Sequence, residues 1–130
     1  ARAICEAILE VAPDTILLAL SNSPWVDLAE MMGLRVAREI FADRALKADG
    51  RLVPRSQPGA VIHNVSEVAN RSLKMVTQGK AIAITGEEID VRADSLCIHG
   101  DTPGAVNMTR SVRQALEAEG VKLSPLGQLV

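Results

Sequence analysis

Apolar positions along the chain follow two periods, one near 3.6 and one near 2, and the segments alternate. Ala1, Ile4, Ile8, Val11 and Ala12 recur at helical spacing, so the chain opens on an amphipathic helix already under way at residue 1. Pro13 and Asp14 break it. The run TILLAL, Thr15 to Leu20, has the length and composition of a strand buried on both faces. SNSP then sets up a second helix: Ser23 can accept the free amides, and Pro24 sits in the first turn, where its missing N–H costs nothing. Gly33 closes that helix, and LRVAREIF, Leu34 to Phe41, reads as the next strand. A polar stretch from Ala42 to Pro58 follows, longer than the roughly four to six residues of an ordinary connection. Its Gly, Pro and charged residues predict a segment anchored at Asp43 and Arg44 and mobile beyond them.

Helical spacing returns at Asn64, a capping residue with Glu67 three positions on, and Val65, Val68, Ala69, Leu73 and Val76 form the stripe. Gly79 stops it. AIAITGEEIDV alternates around Thr85-Gly86 as a small hairpin does, and SLCIHG is a further strand. The last helix is predicted from Pro103 to about Glu119, capped by Thr102 and buried through Ala105, Met108, Val112, Ala115 and Leu116. Strand, helix, strand, helix, hairpin, strand, helix is an α/β order, which calls for parallel strands covered by helices. Three parallel strands are few for a closed barrel or a doubly wound sheet. With no initiator Met and no signal peptide at its start, residues 1–130 read as a single domain cut from something longer.

Composition narrows the function classes. A net charge of −2 with interspersed signs argues against nucleic acid as the main partner, because phosphate binding needs clustered Lys and Arg. The chain has no Tyr, one Phe and one Trp, which leaves no platform for stacking bases. No run of about 20 apolar residues is present to cross a membrane. Cys5 and Cys97 stand alone inside apolar segments, as reduced thiols of a cytoplasmic protein do.

The chemistry concentrates in LCIHGDTPGAV, Leu96 to Val106, where a strand gives way to a helix. In parallel α/β folds the ligand site lies beyond the carboxyl ends of the strands, and His99 and Asp101 fall at that edge. The helix start at Thr102 offers unpaired N–H groups to an anion, and Gly100 and Gly104 let a ligand approach the backbone. An imidazole beside a carboxylate can move protons in acyl or amide hydrolysis. The plain alternative is that Asp101 and Thr102 cap the helix while His99 bonds a loop carbonyl. Glu39 and Asp43 could add a second carboxylate pair, although Arg38 and Arg44 beside them suit surface ion pairing as well. His63 could face the same cleft. A metal held by His99, Asp101 and His63 rests on too few ligands to define a set.

Two longer stretches, REIFADRALKADGRLVPRSQPGAVIH and VRADSLCIHGDTPGAV, closely resemble the C-terminal half of the LamB/YcsF family. Phe41, Ala42, Asp43 and Arg44 match its FADR motif, and His99 to Gly104 match its HGDTPG motif. Leu46 replaces a usual aromatic, and Asn64 stands after His63 where an aspartate is common. The family's N-terminal aspartate-rich and histidine-containing motifs fall outside these residues. The resemblance implies an irregular, seven-stranded β/α barrel like those of glycoside hydrolases and deacetylases, of which this chain supplies roughly the C-terminal half. It also implies the role of the A subunit in an ATP-hydrolysing 5-oxoprolinase: opening of the 5-oxoproline lactam to glutamate with ATP as co-substrate, alongside two further subunits. On that basis His99, Asp101 and Asp43 are the catalytic candidates, and Thr102, Gly104, Arg44 and Glu39 the substrate-binding ones. The other function in view is a non-catalytic half-barrel that acts as an assembly surface.

Overall fold

Alternation along two strands decides how the molecule is layered. The computed structural model describes all 130 residues. It begins with α1 (Arg2–Val11), β1 (Ile16–Leu20), α2 (Pro24–Met31) and β2 (Arg35–Phe41). After a long connection come α3 (Val65–Gln78), β3 (Lys80–Ile82), β4 (Glu88–Asp90), β5 (Ser95–Cys97) and α4 (Ala105–Ala118). The parallel sheet has the order β1-β2-β5, with Leu20 beside Glu39 and Phe41 beside Cys97. β3 and β4 pair antiparallel around the turn at Gly86, as the alternation predicted.

Helices cover one face of the sheet. Leu17, Ala19 and Val36 pack with Cys5, Val26 and Ala29 of α1 and α2. Ile40 packs with Met75 of α3 and with Ala81 and Val91 of the hairpin segment. α3 and α4 meet through Val68, Ala69, Met108, Val112 and Leu116, with Leu96 and Ile98 against them. Strand residues alternate between faces, so the opposite face carries Ile16, Leu18, Leu20, Phe41 and Cys97. Ala37, on the same face, is fully buried, but none of these larger residues is, and Leu18 is 43% exposed. Within these residues the sheet is open, with β1 and β5 at its edges.

Local signals placed most element ends. Ser23 accepts the Trp25 N–H, and Asn64 accepts the Glu67 N–H at the start of α3. Gly79 ends α3 in the left-handed conformation, at φ +64°. Three expectations are corrected. α1 buries Cys5, with Ile8 and Leu9 half covered, while Ile4 and Val11 are exposed. Apolar residues on both sides of that helix made its stripe ambiguous, and the Trp25 indole on Cys5 Sγ, 3.3 Å, fixes which side faces inward. α4 starts at Ala105, not Pro103, and Thr102 does not cap it. Gly104, at φ +84°, is the residue before the helix, and the Ala105 N–H already donates to the Thr102 carbonyl in a separate turn.

The third correction concerns the connection from Ala42 to Pro58, which folds back on itself beyond its anchors. Leu46 bridges Leu52, Val53 N–H donates to the Ala45 carbonyl, and Ala45 N–H donates to that of Ala60. Leu46 and Val53 are fully buried. At Gly50, φ +78°, the backbone lies against Asn22 so closely that a Cβ would stand 2.1 Å from its amide nitrogen. The sequence pattern missed this packing because only single apolar residues, spaced without period, carry it.

Candidate active site at the carboxyl ends of β2 and β5

Asp43 and His99 each stand two residues beyond the end of a strand, and the strands are neighbours. Because Phe41 pairs with Cys97, the next residues of the same facing, Asp43 and His99, come together. His99 Nδ1 lies 2.9 Å from Asp43 Oδ1 and 3.0 Å from Oδ2. The His99 backbone N–H also donates to Asp43 Oδ2, at 3.2 Å. A carboxylate only accepts, so Nδ1 is the protonated nitrogen and Nε2 of the neutral ring keeps its lone pair. No hydrogen bond within the chain engages Nε2. The Phe41 ring stacks on the imidazole at 5.2 Å between centroids and fixes its plane. The Asp43 side chain is fully buried and that of His99 is 18% exposed, so the carboxylate is hidden while part of the imidazole reaches the surface.

The surroundings are acidic. Burial pushes the Glu39 carboxyl above its ordinary 4.5, and the nearby His99 pulls it back. Cys97 is pushed up by burial, then by Glu39 and Asp43, so it stands there as a thiol. A carboxyl that binds its proton more tightly in the folded protein contributes stability below its unfolded pKa and loses that contribution as pH rises through the folded value. Glu39→Gln is therefore expected to gain stability relative to the unsubstituted protein as pH rises from below 4.5 to neutrality. Urea midpoints across that range check it; a gap that does not change with pH contradicts it.

The other sequence-derived candidates are placed differently. Asp101 is exposed at the turn between β5 and α4 and makes no hydrogen bond to His99, whose partner is Asp43, 56 residues away in sequence. Thr102 is half-buried, with its N–H 3.4 Å from the His99 carbonyl. Gly104 forms the bend into α4. The Arg44 guanidinium turns away and is buried, with Nε donating to the Ala60 carbonyl at 3.2 Å and Nη2 to that of Val53 at 2.6 Å. Burial and then Arg55 lower its pKa, while Asp43 opposes them. His63 is exposed ahead of α3. No group of three His, Cys, Asp or Glu side chains is arranged to hold a metal ion. No helix is long and apolar enough to cross a membrane.

Two concavities lie elsewhere. One of about 740 Å³ runs between α3 and the β3–β4 hairpin, past Glu67, Arg71, Lys74 and Lys80. The other, of about 480 Å³, runs between α4, the β5 segment and the C-terminal tail. Arg71, not singled out in the sequence, is a neighbour of the pair: Nη1 donates to the carbonyls of Phe41, at 3.1 Å, and Ala42, at 2.6 Å. A cation that reaches a strand end from a facing helix has no local sequence signature.

A parallel α/β sheet with an imidazole–carboxylate pair beyond the ends of adjacent strands defines an α/β protein whose polar site is built on strand ends. The chain belongs to the LamB/YcsF family, whose model matches residues 1–130. It is 51% identical over 130 residues to the A subunit of 5-oxoprolinase from Pyrococcus horikoshii, which it covers to 51% of its length. To the corresponding 5-oxoprolinase chain of Nitrobacter hamburgensis it is 47% identical over 125 residues, 96% of this chain and 49% of that protein. The crystal structure of the lactam utilization protein from Thermus thermophilus matches 94% of this chain at a TM-score of 0.85 and 43% identity, and 48% of that chain is covered. The chain spans about half the length of these relatives.

Proposed function

We propose that this chain supplies the acid/base half of a 5-oxoprolinase active site, within a full-length protein that works with two further subunits and ATP. The observation that carries the reading is the Asp43–His99 pair, with one imidazole nitrogen fixed and the other free. The similarity to proteins named as the A subunit of 5-oxoprolinase and as a lactam utilization protein supports the choice of substrate.

The chemistry asks for a proton carrier. A five-membered lactam is a stable amide, and transfer of a phosphoryl group from ATP to its carbonyl oxygen opens the ring carbon to attack by water. His99 Nε2 takes a proton from the attacking water and returns one to the lactam nitrogen as the C–N bond breaks, which leaves an acyl phosphate that a second water hydrolyses to glutamate and phosphate. Asp43 holds the tautomer and stabilises the imidazolium that forms between these steps. Asp101 and Thr102, at the rim, contact the substrate, with the Asp101 carboxylate accepting the lactam N–H. Glu39 lines the same face. Arg44 and Gly104 shape the site through the backbone they hold.

The open sheet face fits the inner wall of a β/α barrel completed by the remaining length of the relatives. Such a wall has apolar residues along it and the reacting groups at its carboxyl end. The same open face also favours the second reading, a half-barrel that serves assembly alone. Glutamate release from 5-oxoproline, measured with the full-length protein, its partner subunits and ATP, separates the two. Release that needs all components supports the enzyme; complex formation without any release supports the assembly role.

A further inference from the structure

We infer that Arg71 is a positioning residue for the Asp43–His99 pair, acting through the two peptide groups that carry the neighbours of the imidazole. The inference rests on the reading of that pair as the reacting centre. β2 ends at Phe41, and past that point the sheet ladder no longer takes up every carbonyl. Ala42 N–H still donates to the Cys97 carbonyl, and the Asp43 carbonyl accepts from Ile62. The carbonyls of Phe41 and Ala42 are instead held by Arg71 Nη1. One peptide group follows the residue whose ring stacks on His99. The next joins directly to the residue whose carboxylate holds Nδ1.

One guanidinium on α3 therefore fixes both contacts that orient the imidazole, from the helix-covered side of the sheet and without reaching the substrate side. An Arg suits the task because its planar guanidinium is pre-organised and the two N–H groups of one nitrogen, Nη1, serve both carbonyls. The position is partly desolvated: burial lowers the pKa of Arg71, and the carboxylates of Glu67 and Asp43 oppose it. The cation stays there despite that desolvation, with its donors on two consecutive strand-end carbonyls, and so holds the strand end in one conformation. Misplacing a reacting group by a fraction of an ångström is felt mainly in the chemical step.

The test uses the full-length protein with its partner subunits and two variants. Arg71→Met removes every donor, and Arg71→Gln keeps one uncharged NH₂ group, on a shorter side chain, for the carbonyls. Arg71→Met is expected to lower kcat by about tenfold and leave KM within about twofold, with Arg71→Gln between it and the unsubstituted protein. In the full-length protein without its partners, the 1H NMR resonance of the His99 Nδ1 proton, identified by its loss in His99→Asn, should broaden by exchange in Arg71→Met and survive in Arg71→Gln. A folded Arg71→Met with unchanged kcat, or with an unaltered Nδ1 resonance, overturns the inference. Should Arg71→Met not fold, Arg71→Gln decides: kcat equal to that of the unsubstituted protein overturns it. Should the unsubstituted protein fail to turn over 5-oxoproline, the proposed reaction falls, and the Nδ1 resonance alone decides the role of Arg71.

Discussion

Asp43→Asn in the full-length protein is expected to cut turnover of 5-oxoproline by about a hundredfold or more, the scale of a lost acid/base system. Two donors of His99, its Nδ1–H and its backbone N–H, converge on the Asp43 carboxylate. An Asn must turn its NH₂ toward one of them, so a donor meets a donor and the imidazole loses its tautomer or its place. His99→Ala is expected to fall as far, since the two residues act as a unit and their effects do not add. Asp101→Asn is the contrasting variant. Asp101 is exposed and bonds to neither member of the pair, so its loss should cost about tenfold at most, the worth of one hydrogen bond. Glutamate release and thermal stability measured for all three variants test the assignment. Full loss in Asp101→Asn with activity kept in Asp43→Asn would move the reacting pair to His99 and Asp101.

Arg44→Met is expected to lower stability by about 3 kcal/mol, the cost of removing a charged donor from two buried carbonyls. Met keeps an unbranched side chain there, but the carbonyls of Ala60 and Val53 lose the partner that ties the two limbs of the loop together. A shift of the urea midpoint with unchanged slope reads this out. A raised KM with an unmoved midpoint would instead make Arg44 a contact of the substrate.

The order of elements could be read from periodicity and caps because strands, helices and their ends are local properties. Ser23, Asn64 and Gly79 act where their chemistry placed them. The site was legible in its members more than in its pairing. His99 and Asp101 are neighbours in sequence, which suggested a pair, yet alternate residues after a strand need not converge once the chain turns. Asp43 and His99 converge because of a register, Phe41 beside Cys97, and register is a property of two distant segments. Thr102 failed as a cap because Gly104, two residues on, takes a backbone conformation that no helix admits. Arg71 stayed hidden because nothing near it in sequence shows which carbonyls it will meet.

The 56-residue separation of Asp43 and His99 also sets an order of events. Closing so long a loop has an entropic cost that one hydrogen-bonded pair cannot offset, so the pair must wait for larger partners. Those are the packing of α3 on α4 and the addition of β5 to β2, both of which involve residues well after Asp43. During synthesis the carboxylate emerges long before its imidazole. The pair is therefore assembled late, and a chain stalled before β5 docks carries Asp43 without its partner. The Asp43–His99 pair is in this sense a completion mark for the fold, formed when the last parallel strand of the segment is in register.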